Sequence, residues 1–138
     1  MIILVDTDVL IDVALDRSPF ADRAAGLLDA LERGAHRGYV AWHTISNFYY
    51  LVSPKRGRTG TLEFIEEITA FLQVAPTTSE HLRRALSLQL KDFEDAMQVG
   101  AATACAADMI ATRNARDFRI RSANRNGFIQ WSAFSVSG

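Results

Sequence analysis

The chain has 138 residues, 49% hydrophobic and 22% charged, a balance that excludes an intrinsically disordered chain and leaves room for one domain, over residues 1–138, rather than two. Its 15 Lys and Arg against 16 Asp and Glu leave a net charge of −1, so bulk charge by itself points to no polyanionic partner. Cys105 is the lone cysteine, which excludes an intrachain disulfide framework or a cysteine-rich zinc site, and no apolar run approaches the roughly 20 residues of a membrane span. The first apolar run has no basic leader and meets Asp6, so it does not read as a signal peptide; a cytoplasmic protein is expected.

Ile2-Ile3-Leu4-Val5 is a continuous apolar run of the kind found in strands buried on both faces of a parallel sheet. Val9, Leu10, Val13 and Ala14 then show helical spacing. Ser18-Pro19 reads as an N-cap with proline at the first helical position, opening a helix that carries Ala24, Leu27, Leu28 and Leu31 and stops near Gly34. A second strand is expected over Gly38 to Trp42. Thr44 or Ser46 should open a third helix through Phe48, Tyr49, Leu51 and Val52. Pro54 to Gly60 reads as a basic loop with Lys55, Arg56 and Arg58, followed by a helix over Thr61 to Leu72 and a short strand over Gln73 to Ala75. Thr78 opens a helix with Leu82, Ala85, Leu86 and Leu88. Asp92 caps an alanine-rich helix that ends near Ala107. Strands over Asp108 to Thr112 and Phe128 to Trp131 complete an alternation that predicts an α/β domain with a mainly parallel sheet.

Asp6 stands where the first buried strand gives way to a helix. In open α/β sheets that carboxyl edge is where ligands bind, and a carboxylate buried there needs a cation or hydrogen bonds. The structural alternative is that Asp6, or more readily Asp8, caps the next helix. Asp92 and Asp95 are spaced i, i+3 at a helix start: Asp92 suits the N-cap, Glu94 and Asp95 complement the helix dipole, and Asp95 can still face a metal. A third acidic region runs from Asp108 through Thr112-Arg113-Asn114 to Asp117, again a strand-to-loop junction. Carboxylates drawn from distant segments suit a hard divalent cation, which takes oxygen ligands and can activate water against a phosphodiester.

Four motifs in this order resemble the PIN domain family, of the kind found in the VapC toxins of toxin–antitoxin pairs. They are Val5-Asp6-Thr7-Asp8-Val9-Leu10-Ile11-Asp12, Thr44-Ile45-Ser46-Asn47-Phe48-Tyr49-Tyr50, Asp92-Phe93-Glu94-Asp95-Ala96-Met97-Gln98 and Ala111-Thr112-Arg113-Asn114-Ala115-Arg116-Asp117-Phe118. The resemblance spans nearly the whole chain. It implies a three-layer α/β/α sandwich and a ribonuclease that uses Mg2+ or Mn2+ to activate water, leaving 5′-phosphate and 3′-hydroxyl ends. By position, Asp6 and Asp95 are the first and third family acids. Asn114 replaces the fourth, so Asp117 or Asp92 is expected to complete the metal site. Asn47 stands where the family places a glutamate, which removes one negative charge that Glu94 or Asp92 could restore. Thr7 and Thr112 are hydrogen-bonding supports; Thr7, Thr112, Arg113, Asn114 and Arg116 are expected near the RNA. The resemblance further implies a small antitoxin partner and a homodimer.

Local charge is uneven. Residues 1–53 carry seven acids and four basic side chains, whereas Arg113, Arg116, Arg119, Arg121 and Arg125 face one acid, Asp117, over their segment. An arginine-rich stretch beside a cation site suits phosphate recognition, although such runs are commonly solvated faces. Phe48, Tyr49 and Tyr50 are expected in core and subunit contacts, Trp42 and Trp131 in the core or an interface, His43 as a capping or packing residue, and Cys105 in the core. Two other functions fit parts of the sequence. Asp6-Thr7-Asp8 also resembles the first motif of haloacid-dehalogenase-like phosphatases, and the amides at Asn47 and Asn114 suit a catalytically degenerate PIN fold that binds RNA or protein.

Overall fold

The computed structural model describes residues 1–113 and a strand at Ser132–Ser135. In chain order the elements are β1 (Ile2–Val5), α1 (Thr7–Ala14), α2 (Ala21–Glu32), β2 (Arg37–Val40), α3 (Trp42–Arg56), α4 (Arg58–Ile68), β3 (Leu72–Val74), α5 (Ser79–Ser87), α6 (Phe93–Ala104), β4 (Met109–Thr112) and β5 (Ser132–Ser135).

The apolar run of β1 needs cover on both faces, and the fold supplies it. Ile3 and Val5 join a cluster with Leu10, Leu28, Phe48 and Phe64, contributed by α1 to α4. Leu4 points the other way, into a cluster with Ile110 and the α6 alanines Ala101 and Ala102. Period-two alternation along one strand thus builds two cores, one on each face of the sheet. Small side chains let α6 lie close: Gly100 has no Cβ where the His81 carbonyl of α5 would stand 3.4 Å from it.

All pairings are parallel, in the order β3-β2-β1-β4-β5. The chain moves outward from β1 to β2 to β3, then returns to lay β4 against the other side of β1. Parallel crossovers keep one hand, so reversing the direction of travel places the returning helices on the opposite face. The result is a three-layer α/β/α sandwich. Its direction of winding reverses between β1 and β4, which is the position where open α/β sheets bind ligands.

Several boundaries differ from the sequence expectation. The strand expected over Gly38 to Trp42 ends at Val40, and α3 starts at Trp42 without a side-chain cap from Thr44 or Ser46. Trp42 therefore turns outward and is 73% exposed rather than in the core. The basic loop expected from Pro54 is helical up to Arg56. Only Gly57 interrupts it, with φ +84°, before α4 begins at Arg58. A positive φ of this kind is the conformation that glycine accepts at little cost. Leu72 belongs to β3, not to the preceding helix. The Ser18–Pro19 peptide is cis, and α2 begins two residues later than Pro19, at Ala21. Asp92 caps α6 as expected, accepting from the amides of Glu94 at 2.8 Å and Asp95 at 3.4 Å. The strand expected over Phe128 to Trp131 lies outside the described residues, as does Trp131. Among the described residues no helix is long and apolar enough to cross a membrane.

Phe48 is fully buried and stacks on Phe64 with ring centroids 5.1 Å apart, whereas Tyr50 on the same helix is 72% exposed. Phe48→Ala should cost about 3–5 kcal/mol in urea denaturation, against less than about 0.5 kcal/mol for Tyr50→Ala.

Candidate active site at the carboxyl edge

The carboxyl edge of the sheet collects chain from four places. β1 ends at Asp6, β2 leads into α3, β4 ends at Thr112, and α6 runs antiparallel to the strands, so its first turns lie at the same edge. Asp6 is half-buried and is the N-cap of α1. This corrects the expectation that Asp8 more readily caps that helix: the helix begins at Thr7, so Asp8 falls inside its first turn.

The Asp6 carboxylate is held by donors from three segments. Its Oδ1 accepts from the Thr7 amide at 2.8 Å and from the Gln98 side-chain amide at 2.6 Å. Its Oδ2 accepts from the Thr112 hydroxyl at 2.8 Å. Gln98 also donates to the Thr44 hydroxyl at 3.3 Å, which receives the Thr7 hydroxyl at 3.1 Å. Thr7, Thr44, Gln98 and Thr112 are all buried. A buried polar chain of this type stabilises only while its members are paired, so it makes the position of Asp6 specific.

Asp8 lies beside this network. The Thr112 hydroxyl is 3.5 Å from Asp8 Oδ2, and the Arg113 amide donates to the same oxygen at 3.2 Å. Burial, and then the Asp6 charge, push the Asp8 carboxyl up to about 6, with the Arg113 amide and charge opposing. Asp12, one turn further along α1, is fully buried and pairs with the Arg113 guanidinium, Nε to Oδ2, at 3.0 Å. The same guanidinium lies 4.5 Å from the centre of the Phe20 ring. Arg113, expected near the RNA, thus has its side chain engaged with α1 and the residue before α2. Burial raises the Asp12 carboxyl above its ordinary range, with Arg113 and Arg17 pulling it back down.

The Asn47 amide donates to Glu94 Oε1 at 3.0 Å, so the neutral residue on α3 holds a carboxylate that comes from α6. His43 is half-buried with its Nε2 enclosed. Burial lowers its basicity, while the charges of Glu94 and Asp6 act in the opposite direction. Asp95 is half-buried in the first turn of α6 and lines an open cleft of about 670 Å³ with Leu90, Lys91, Asp92 and Phe93. Asp92 is exposed, with its Oδ1 committed to capping α6. Asp108 lies at the opposite edge of the sheet and accepts from the Ile2 amide at 2.7 Å. Asn114, Arg116 and Asp117, with Arg119, Arg121 and Arg125, lie outside the described residues.

Among the described residues, no three carboxylate, imidazole or thiol groups stand close enough to hold an ion by themselves. The donors present nevertheless fit a hard cation. Asp6 Oδ2 and Asp8 Oδ2 both approach the Thr112 hydroxyl, and their mutual repulsion is the excess negative charge that a cation relieves. Magnesium commonly uses only one or two protein carboxylates, with water and phosphate oxygens completing its shell. The sequence places Asp6, Thr7, Asn47, Asp95 and Thr112 near this edge but gives no role in the site to Gln98 or Asp12, and Thr44 reads there as a helix opener. The available signal for Gln98 was its i+3 spacing from Asp95, which puts both on one face of α6.

The sequence matches the PIN domain family over residues 2–116. A search of curated proteins finds no match. The fold is similar to that of VapC20 from Mycobacterium tuberculosis, a sarcin-ricin loop cleaving toxin, with TM-score 0.62 and 12% identity over 78% of this chain and 86% of that chain. It is also similar to VapBC2 from Rickettsia felis, solved bound to a DNA fragment from their promoter, with TM-score 0.71 and 13% identity over 96% of this chain and 98% of that chain.

A raised carboxyl favours the fold when protonated. The contribution of Asp8 is therefore complete below its unfolded value near 3.8 and is lost as pH rises through about 6. In EDTA, Asp8→Asn should match the wild type at about pH 3 and exceed it by about 2 kcal/mol at about pH 8, since one pKa unit is worth ~1.4 kcal/mol and the side chain is partly hydrated. Urea melts at both pH values measure this; equal stability at about pH 8 would contradict the burial of Asp8 and its repulsion by Asp6 as causes of the raised carboxyl.

Proposed function

Because this chain belongs to the PIN domain family, we propose that it is a divalent-cation-dependent endoribonuclease, the toxin of a toxin–antitoxin pair. The observation that carries this reading is the Asp6 carboxylate at the reversal of the sheet, held by donors from α1, α6 and β4 with the Asp8 charge beside it. Asp6 and Asp8 would hold Mg2+ or Mn2+, and Asp95 on α6 would reach the same ion directly or through water. When bound, the ion supplies a Lewis acid that polarises a phosphodiester and lowers the pKa of water.

The chain's own residues prepare that chemistry. Thr112 and Gln98 orient Asp6. Arg113 draws Asp12 and Asp8 together with the exit of β4, through its guanidinium and its amide respectively. Asn47 keeps Glu94 at the rim, where it adds the negative charge that the amide lacks. The net negative edge repels RNA phosphate without a cation, so substrate and metal are expected to bind together. The likeness to VapC20 supports RNA as the substrate class, and the likeness to VapBC2 supports a small antitoxin partner. A homodimer and a contribution of Asp117, Asn114 and Arg116 to RNA and metal binding belong to the same proposal.

Purified protein should cleave structured RNA with Mg2+ or Mn2+ and stop on addition of EDTA. Asp6→Asn should lower the rate at least about 1,000-fold while its circular dichroism stays native, since it removes one charge of the cation site. Full activity of Asp6→Asn would overturn the assignment. Metal binding without cleavage would favour a degenerate binding module, and hydrolysis of p-nitrophenyl phosphate would favour the phosphatase.

A further inference from the structure

We propose that Gln98 is a positioning residue that closes Oδ1 of Asp6 and so makes the carboxylate offer a cation a single oxygen, Oδ2. This rests on the metal-dependent reading above and deepens it by naming the oxygen involved and what selects it.

An ionised carboxylate has about four acceptor positions, two on each oxygen. Among the described residues, Asp6 Oδ1 fills both of its positions, with the Thr7 amide at 2.8 Å and Gln98 Nε2 at 2.6 Å. Oδ2 receives the Thr112 hydroxyl at 2.8 Å and keeps one position. The orientation of the Gln98 amide follows from chemistry. Only its NH2 end can donate to a carboxylate, and the same nitrogen reaches Thr44.

A second observation separates this role from packing. Gln98 is 1% exposed on a helix whose other buried residues are Ala96, Val99, Gly100, Ala101 and Ala102. Its Oε1 is buried without a hydrogen-bond partner among the described residues. A methionine would fill similar space with no orphaned oxygen. The fold therefore carries the cost of an unsatisfied acceptor in order to keep the donor at Asp6, a pattern that recurs where a site overrides packing.

Single-oxygen binding has a consequence for metal choice. Magnesium and manganese take near-octahedral shells of single oxygens, whereas calcium accepts six to eight ligands and two oxygens from one carboxylate. Closing Oδ1 disfavours the second mode. Gln98→Met opens one position on Oδ1 and removes the donor that, with the Thr7 amide, holds that oxygen in place.

The experiment is calorimetric titration of wild type and Gln98→Met with MnCl2 and CaCl2, beside thermal melts in EDTA. Gln98→Met should melt at or above the wild-type temperature, bind Mn2+ about tenfold or more weakly, and bind Ca2+ within about threefold of wild type. Unchanged Mn2+ binding, or equal weakening of both ions, overturns the proposal. If the variant does not fold, the wild type decides: its Gln98 side-chain amide signals in 1H–15N spectra should move with Mg2+ at the midpoint of binding, and signals that stay in place overturn the proposal. Failure of the wild type to bind any of the three ions overturns the metal-dependent reading itself, and the proposal with it.

Discussion

The structure turns on supplying hydrogen-bond donors to one carboxylate at the end of a buried strand. Asp6 follows three residues of β1 that are nearly or fully buried and is itself half-buried, and a carboxylate partly withdrawn from water is costly unless donors replace the hydration it loses. Those donors come from Thr7, from Gln98, 92 residues away, and from Thr112, 106 residues away. Satisfying Asp6 thus requires β4 beside β1 and α6 across the sheet. The parallel pairing of β1 with β4, including the Asp6 amide bonded to the Ala111 carbonyl at 2.9 Å, delivers Thr112 to the carboxylate.

The surrounding charges are arranged on the same principle. Asp8 and Asp12 lie on the helix that Asp6 caps, so three carboxylates follow one another within the first two turns. Arg113 answers two of them, one with its backbone amide and one with its guanidinium. Its contact with the Phe20 ring adds a cation–π interaction and shields the pair from water. The first basic residue after β4 therefore joins that strand to α1, and the edge beside Asp6 keeps an excess of negative charge.

Asn47 and Glu94 divide between two elements a role that one side chain could serve. The amide on α3 carries no charge, yet it fixes a carboxylate from the first turn of α6, where the helix dipole favours it. Asp92 caps the same helix, so the acids of the Asp92-Phe93-Glu94-Asp95 run have different tasks despite their adjacency. Asp92 opens the helix, Glu94 meets Asn47, and Asp95 joins Asp92 in lining the cleft beside Phe93.

By itself the sequence determined the class of fold and the edge that matters. A β-strand run as apolar as Ile2 to Val5 can only be covered on both faces, and an aspartate ending it can only lie at the carboxyl edge. The Asp92 cap was legible for a similarly local reason, because capping involves amides two and three residues away. Tertiary structure alone decided which side chains meet Asp6. Helical spacing puts Gln98 on the face of Asp95, but periodicity reports a face and not its partner. It also decided that Asp12 is buried against Arg113 and that Trp42 faces outward, since each depends on where a strand ends and what stands beside it. Local pattern specifies elements and the neighbouring Thr7 amide, whereas the other two donors to the Asp6 carboxylate are those the topology brings within 3 Å, and they are distant in sequence.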